Sequence, residues 1–246
     1  MRYPVELVHA TLLRRYKRFL ADVSLEDGRE VTVHVPNSGT MKTCMVQGGP
    51  VLISPADNPK RKLKWTLEQT FAGPEGATHT GSRKGSRVMV NTQLPNKLVR
   101  EGIEMGLIER LAGYESLRTE VKYGSRNSRI DLLLSGQGKP PCWVEVKNAT
   151  LIAEEGMVRF PDAVTKRGQK HLLELAEMAE QGHRAVIFYL ASRTDARAVG
   201  PADGIDPEYG RLLREVVGRG VEAMAHGLHI SNTSLVVGRE LPVVLT

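Results

Sequence analysis

The sequence predicts a mixed α/β protein in two parts, a small closed β-barrel followed by an α/β domain. Its 246 residues suffice for one large domain or two small ones. The first 90 residues contain short strand-like segments separated by Gly and Pro, as in small barrels. After Ser86, segments with helical spacing alternate with apolar strands, and Ala185–Leu190 is apolar enough for a strand covered on both faces. We therefore predict domains at 1–82 and 83–246.

The predicted barrel strands follow from alternation and turn residues. Val31, Val33 and Val35 alternate with polar residues, and Pro36 to Gly39 ends that strand. A linker is predicted at Gly81–Gly85. The predicted strands are Arg18–Leu25, Arg29–Val35, Val51–Ser54 and Leu63–Phe71.

For the second part of the chain, the sequence predicts a sheet flanked by helices. Asp206-Pro207 supplies an N-cap and a first-turn proline for a helix that ends near Gly218. Two further helices are expected, from Asn96 to about Ala112 and from Lys166 to about Gln181. The remaining strands are expected at Leu117–Tyr123, Arg129–Leu134, Cys142–Val146 and Val221–Ala225.

Composition excludes several classes of protein. With 41% apolar and 25% charged residues, the chain is neither disordered nor fibrous. Its two cysteines, Cys44 and Cys142, are too few for a disulfide framework or a cysteine zinc site, which favours a reducing compartment. No apolar run approaches the roughly 18 residues of a membrane span, and Arg14-Arg15 interrupts any signal-like stretch. We expect a cytoplasmic protein without a membrane partner, and its oligomeric state stays open.

Positive charge is concentrated in the first part of the chain. Residues 1–95 hold 14 Lys and Arg against 8 Asp and Glu, a net charge of +6, whereas residues 96–246 hold 20 of each. Such a surface attracts polyanions, of which nucleic acid is the commonest. The alternative, a surface that only keeps the protein soluble, is equally compatible with the charge alone.

One short segment combines cations with an aromatic residue, as single-strand binding proteins do. The alternatives are a solvated loop and, for the aromatic residue, a place in the barrel core. Its candidate nucleic-acid-binding residues are Lys60, Arg61, Lys62, Lys64 and Trp65.

A candidate catalytic and metal-binding site is indicated by Asp131, Glu145 and Lys147. Glu145 and Lys147 are two apart on a predicted strand, so they share a face, and Asp131 on a neighbouring strand can reach them. Charged groups in buried strands require partners or a metal, and two carboxylates suit Mg²⁺ or Mn²⁺. Glu104 is the first candidate for a third carboxylate and metal ligand, and Glu101 is the second.

The same three residues are equally compatible with a salt-bridge network that closes one end of the sheet. A Glu-X-Lys triplet has little specificity, since Glu120-Val121-Lys122 is a second copy. Downstream, Gln169 and Lys170 lie in the first turns of a predicted helix, where anions are favoured. We take Gln169 as a candidate catalytic residue and Lys170 as a candidate phosphate contact, with a solvated first turn as the alternative.

Several segments together resemble the sugar fermentation stimulation protein A (SfsA) family over nearly the whole chain. They are Val33–Met41, Ser54–Trp65, Ser128–Leu134, Cys142–Leu151, Phe160–Leu172 and Pro201–Glu222. The resemblance implies an OB-like barrel, a domain similar to the PD-(D/E)XK nuclease fold, sequence-nonspecific DNA binding and a regulatory role in maltose or sugar metabolism. Asp131, Glu145 and Lys147 match the nuclease signature, although Ile130 replaces its proline.

Two functions follow as expectations. The first is a sequence-nonspecific DNA-binding protein that regulates sugar metabolism. The alternative is a Mg²⁺-dependent nuclease that cleaves DNA or RNA phosphodiesters through Asp131, Glu145 and Lys147. A weaker third interpretation is a sugar-metabolism protein whose DNA binding is incidental to its basic barrel. Fold similarity alone does not establish cleavage.

Overall fold

The N-terminal part of the computed structural model is a closed five-stranded barrel. The structure describes residues 1–56, 58, 60–72, 85–124, 128–154 and 156–246. Strand β1 pairs with β2 and β4, β2 pairs with β3, and β4 pairs with β5. A parallel contact between His34 and Thr66 joins β3 to β5 and closes the barrel. The strands are β1 (Val8–Tyr16), β2 (Leu20–Leu25), β3 (Glu30–His34), β4 (Pro50–Pro55) and β5 (Trp65–Ala72).

The barrel core is built by the alternation seen in the sequence. On β2, Ala21, Val23 and Leu25 are buried, and on β3 Val33 is completely buried. The predicted barrel is confirmed. Strand β1 was not predicted from the sequence, because its alternation is interrupted by Arg14 and Arg15 near its end.

The C-terminal part is a six-stranded sheet with helices on both faces. Its strand order is β15-β14-β12-β9-β8-β7, and β9, β12 and β14 are parallel. Its strands are β7 (Ser116–Tyr123), β8 (Ser128–Gly136), β9 (Lys139–Ala149), β12 (Arg184–Ala191), β14 (Glu222–Ile230) and β15 (Leu235–Leu241). The helices are α1 (Pro95–Glu104), α2 (Lys166–Glu180) and α3 (Pro207–Gly218).

Each face of the sheet has its own apolar core. Leu98 of α1 packs in one core with Val144 and Val146 of β9. On the other face, Leu172 of α2 and Leu213 of α3 share a core. The predicted α/β domain is therefore present, with β9 and β12 in the middle of the sheet.

Four further short strands complete the fold. Strand β6 (Ser86–Met89) pairs with β5, so it adds a sixth strand to the barrel sheet. Strands β10 (Leu151–Glu154), β11 (Met157–Phe160) and β13 (Ala198–Pro201) form a small separate sheet. Strands β10 and β11 lie between β9 and α2 in the chain, and β13 lies between β12 and α3.

The helix boundaries follow from local chemistry. The Asp206 carboxylate accepts a hydrogen bond from the Tyr209 N–H at 3.0 Å, so the predicted cap of α3 is confirmed. The prediction of one helix from Asn96 to Ala112 is wrong. Helix α1 ends at Glu104, since Gly106 has a φ of +72° that ends regular helix, and a separate 3₁₀ turn follows at Glu109–Leu111.

The predicted linker at Gly81–Gly85 lies outside the described residues except for Gly85, and the domain boundary at 82/83 stays a prediction. Within the part of the chain that the structure describes, no helix is long and apolar enough to cross a membrane.

A buried guanidinium connects the two parts. The Arg193 side chain is completely buried, and its Nη1 donates to the carbonyls of Thr43 in the barrel part, at 2.9 Å, and Thr150, at 3.0 Å. Its Nε and Nη2 donate to Asp195, both at 2.9 Å. Gln69 of β5 adds a hydrogen bond to the Ser231 carbonyl at 2.8 Å.

We expect the Arg193→Ala variant to lose about 3–5 kcal/mol of unfolding free energy, because Asp195 and two buried carbonyls lose their donor. Urea denaturation measures this loss. The Arg29→Ala variant is the matched control, since Arg29 pairs with Asp27 on an exposed turn and its removal should change stability little. Equal, small losses in both variants would contradict the role of Arg193.

Candidate active site and nucleic-acid interface

Asp131 and Glu145 lie on adjacent strands. Leu132 of β8 pairs with Val144 of β9 in an antiparallel register. Asp131, which precedes Leu132, therefore lies beside Glu145, which follows Val144. The Asp131 Oδ2 accepts from the Val146 N–H at 2.7 Å, and its Oδ1 accepts from the Asn96 side chain at 2.7 Å. Helix α1 therefore anchors Asp131 from one face of the sheet.

Glu145 is buried and shares one of its oxygens between two partners. Lys147 Nζ donates to Glu145 Oε1 at 2.6 Å, so the prediction that these side chains share a face is confirmed. His171 Nδ1 of α2 contacts the same oxygen, and it lies 3.4 Å from Lys147 Nζ. The three side chains form a compact group between β9 and α2.

Local patterning explains this arrangement. Val144 and Val146 point into the core beneath α1, so the intervening Glu145 and the following Lys147 point to the α2 side. Lys147 and Glu145 are two residues apart on one strand, so the lysine side chain has only a short distance to reach the carboxylate. The strand itself thus supplies both members of the ion pair.

Sequence reasoning missed His171 and Asn96 as site residues. His171 is buried on the same stripe of α2 as Leu172 and Leu175, which is a signal that it faces the sheet. Its Nε2 also lies 3.4 Å from Arg167 Nε, its neighbour one turn earlier. Asn96 carries no comparable signal, because only the fold places α1 over β8.

Burial and charge give the two carboxylates different protonation behaviour. Burial and the neighbouring Glu145 charge raise the pKa of Asp131 to about 6, against the effect of its hydrogen bonds and of Lys147. Burial also acts to raise the pKa of Glu145, but Lys147 and His171 outweigh it, and this pKa lies below its ordinary value. Glu145 therefore loses its proton at a lower pH than Asp131 does.

The second oxygen of Glu145 supplies a test of whether a cation fits here. Oε2 is buried and accepts no hydrogen bond from any residue that the structure describes, which is costly for a carboxylate unless something else compensates it. Mg²⁺ commonly uses one or two protein carboxylates and retains several waters. Among the described residues, no three His, Cys, Asp or Glu side chains are placed to hold one metal ion. Asp131 and Glu145 are thus the two carboxylates that would hold such a cation, with water as its other ligands.

The structure does not bring Glu104 or Glu101 to this group. Glu104 pairs with Arg100 at 2.8 Å on the exposed side of α1. It is eight residues, or about 12 Å along the helix, from the Asn96 that contacts Asp131. Glu101 pairs with the amino group of Met1. The expectation that Glu104 or Glu101 joins Asp131 and Glu145 fails because helical periodicity identifies the buried face of a helix. It does not specify which end of the helix lies next to the site.

Gln169 and Lys170 have structural partners in α2 and α3. Gln169 Nε2 donates to Asp206 at 2.8 Å, so Gln169 joins the starts of two helices instead of contacting Asp131 or Glu145. Lys170 Nζ lies 3.8 Å from the Glu174 carboxylate, which is completely buried and accepts no hydrogen bond within the described part of the chain. The proposed phosphate contact through Lys170 stays a prediction.

The basic segment forms the loop between β4 and β5. Lys60, Lys62 and Lys64 are exposed, and Arg61 Nη1 donates to Thr66 Oγ1 at 3.0 Å. Trp65 is half-buried and packs against the barrel core, which is the alternative that the sequence left open for it. The loop therefore presents cations, while its aromatic residue contributes to the barrel.

Comparison with known proteins gives full-length matches. The model of the sugar fermentation stimulation protein RE domain matches residues 93–234, and that of the SfsA N-terminal OB domain matches residues 13–79. A sugar fermentation stimulation protein homolog from Geobacter sulfurreducens is 53% identical over 98% of this chain and 97% of its own. The homolog from Geobacter metallireducens is 52% identical over the full length of both.

A solved structure has the same fold. The structure of Pyrococcus furiosus SfsA in complex with Ca²⁺ has a TM-score of 0.82 and 27% sequence identity. The match covers 99% of this chain and 98% of that one. Both parts of the fold described above are thus matched together.

The raised pKa of Asp131 predicts a pH-dependent stability. The folded protein holds this proton more tightly than the unfolded chain, so wild type should lose up to about 3 kcal/mol as pH rises from about 4 to about 6. The Asp131→Asn variant stays neutral, and Asn96 can rotate its amide to accept from the new side chain. We expect the variant to gain stability relative to wild type across this range.

Denaturation in EDTA between pH 4 and pH 8 measures the difference between the two proteins. Asp27→Asn is the control, because Arg29 lowers the pKa of Asp27 and the exposed pair should give no such gain. A stability difference for Asp131→Asn that does not change with pH would contradict the electrostatic description of the site.

Proposed function

Since the chain belongs to the sugar fermentation stimulation protein family, we propose that it binds nucleic acid without sequence preference, through its OB barrel. The observation that carries this proposal is the exposed cationic loop between β4 and β5 on a barrel of this type. OB barrels bind oligonucleotides with the β2–β3 face and the β1–β2 and β4–β5 loops. The excess positive charge of the chain lies in this same part.

The register of the barrel supports a shared binding surface for these two loops. His34 at the end of β3 pairs with Leu20 on one side and with Thr66 on the other. Adjacent strands are about 4.8 Å apart, so the start of β2 and the start of β5 lie about 10 Å from each other across β3. Arg61 reaches this row through its contact with Thr66. A phosphate backbone that crosses β3 would meet cations from both loops.

The cellular role that goes with this binding is regulation of sugar metabolism, as the names of the relatives suggest. DNA as the target places the protein in the cytoplasm. Its two cysteines, Cys44 and Cys142, are free and buried, which suits that reducing compartment. RNA is a second polyanion that the same cationic loop would accept, because phosphate contacts carry no sequence information.

A second candidate function is metal-dependent cleavage of phosphodiesters, which the buried, unpartnered oxygen of Glu145 favours. Asp131 and Glu145 would hold Mg²⁺ or Mn²⁺, and the relative from Pyrococcus furiosus was solved with Ca²⁺. A bound divalent cation lowers the pKa of an attacking water and offsets charge on the phosphate. Lys147 and His171 orient Glu145, and Lys147 is placed to hold that water or to offset developing charge.

Replacing Lys60, Arg61, Lys62 and Lys64 together by Gln should weaken binding to all sequences alike. Each lost phosphate contact should lower the slope of log affinity against log salt concentration by about 0.7–0.9. Fluorescence anisotropy titrations at several salt concentrations measure the slope. As a matched pair, Lys60→Gln/Lys62→Gln should show part of this effect, while Arg118→Gln/Lys122→Gln on β7 should not. Equal slopes in both double variants would place the interface elsewhere.

The Lys147→Ala variant tests the cleavage candidate. With Mg²⁺ present it should fold, bind DNA about as well as wild type and lose cleavage, because the cation replaces the ammonium beside Glu145. Lys122→Ala, in the exposed second Glu-X-Lys triplet, is the control and should cleave normally. Thermal melts, binding titrations and cleavage assays use the same preparations.

Cleavage that persists in Lys147→Ala would remove Lys147 from the reaction. If wild type does not cleave, and Lys147→Ala loses several kcal/mol of stability whether or not Mg²⁺ is present, the group is a structural ion network. Nucleic-acid binding would then remain as the function.

A further inference from the structure

The hairpin between β1 and β2 presents an aromatic ring to solvent. Phe19 is 49% exposed, the largest exposed aromatic fraction among the described residues. Lys17 and Arg18 precede it with φ values of 49° and 62°, so two cationic residues form the tight turn. Both of their side chains are exposed as well.

The backbone holds this ring in a defined place. The Phe19 N–H donates to the Lys17 carbonyl at 2.7 Å, and its own carbonyl accepts from the Val35 N–H at 2.8 Å. Arg15 stabilises the turn, since its Nε donates to the Arg18 carbonyl at 3.0 Å. The exposure of Phe19 therefore comes from a hydrogen-bonded turn rather than from a loose end.

Charge around the ring is strongly positive. Residues 14–22 contain four cations, Arg14, Arg15, Lys17 and Arg18, and the single acid Asp22. Asp22 is already occupied, because it accepts from Arg14, Tyr16 and Thr32. A planar apolar ring beside the exposed cations Lys17 and Arg18 suits a ligand with both stackable rings and phosphates.

Arg15 also links the hairpin to the α/β domain. Its guanidinium donates to the carbonyls of Asn37, Gly39 and Thr40 at 2.9–3.0 Å. The Thr40 N–H in turn donates to Asp162 at 2.7 Å. Asp162 lies three residues before Thr165, the N-cap of α2, and α2 carries His171 to Glu145. The hairpin is thus connected, through the segment from Asn37 to Thr40, to the segment that leads into the candidate active site.

We propose that Phe19 is a stacking platform for a nucleobase and that the preferred ligand of the barrel is single-stranded nucleic acid. This inference rests on the proposed nucleic-acid binding and specifies its substrate class. In a duplex, neighbouring base pairs already cover the faces of each base, so an isolated ring on a hairpin reaches only an unpaired base. Lys17 and Arg18 contact the phosphates on either side, and the β4–β5 loop continues the path across β3.

The experiment compares wild type, Phe19→Ala, Phe19→Leu and Phe19→Trp for binding to oligo(dT) and to a duplex of the same length, without Mg²⁺. The single strand should bind 5- to 100-fold more weakly to Phe19→Ala, and also more weakly to Phe19→Leu, since leucine is apolar but has no ring. Duplex affinity should change less than 2-fold. The added indole of Phe19→Trp should be quenched by oligo(dT) beyond the wild-type signal from Trp65 and Trp143. Met105→Ala, which removes another exposed apolar side chain on α1, is the control and should bind like wild type.

The outcomes separate this inference from the proposed function. If Phe19→Ala binds single strands like wild type while the four-residue β4–β5 loop variant loses binding, the platform is wrong and the binding function stands. Equal losses for single strand and duplex in Phe19→Ala would overturn the single-strand preference. Wild type that binds neither nucleic acid would overturn both, and thermal melts of each variant exclude unfolding as the cause.

Discussion

The buried carboxylate of Glu145 is the constraint around which the α/β domain is organised. An ionised group in the middle of a sheet is costly unless partners compensate it. One partner, Lys147, comes from the same strand, and the other, His171, comes from α2. The helix must therefore lie over β9 in one position, and its cap residues and the Gln169–Asp206 contact fix it there. The oxygen that these partners leave unoccupied is what turns a structural ion pair into a candidate metal ligand.

A second buried ion pair fixes the barrel to this domain. Arg193 follows β12 and reaches Thr43 in the segment between β3 and β4, while Asp195 neutralises its charge. Because a buried guanidinium needs all of its donors satisfied, the joint has little freedom to slide. The barrel loops and the Asp131–Glu145 group consequently have a fixed spatial relation. The proposed capture of a strand by one part and the proposed chemistry in the other would both depend on that relation.

The two parts of the chain differ in net charge. The net positive charge lies entirely in residues 1–95, where the β1–β2 hairpin and the β4–β5 loop present cations on both sides of β3. The rest of the chain has balanced charge, and its acidic pair would repel a phosphate backbone that arrived without a cation. In the proposed function, long-range attraction by the barrel would complement local chemistry at Glu145, and neither would depend on reading base sequence.

The sequence by itself determined the two-part fold, most strands and helices, the charge asymmetry and the pairing of Glu145 with Lys147, because these depend on short-range periodicity and spacing. The Val-Glu-Val-Lys alternation has only one way to place both charged side chains on a strand face. Tertiary structure alone decided which residues approach that pair from elsewhere. His171 reaches Glu145 from a helix 26 residues away, and Asn96 reaches the neighbouring Asp131 from a helix 35 residues away. Glu104, in contrast, faces Arg100 at the other end of α1. The exposure of Phe19 was likewise decided by the fold, since a ring beside a strand is buried or exposed according to what packs over it.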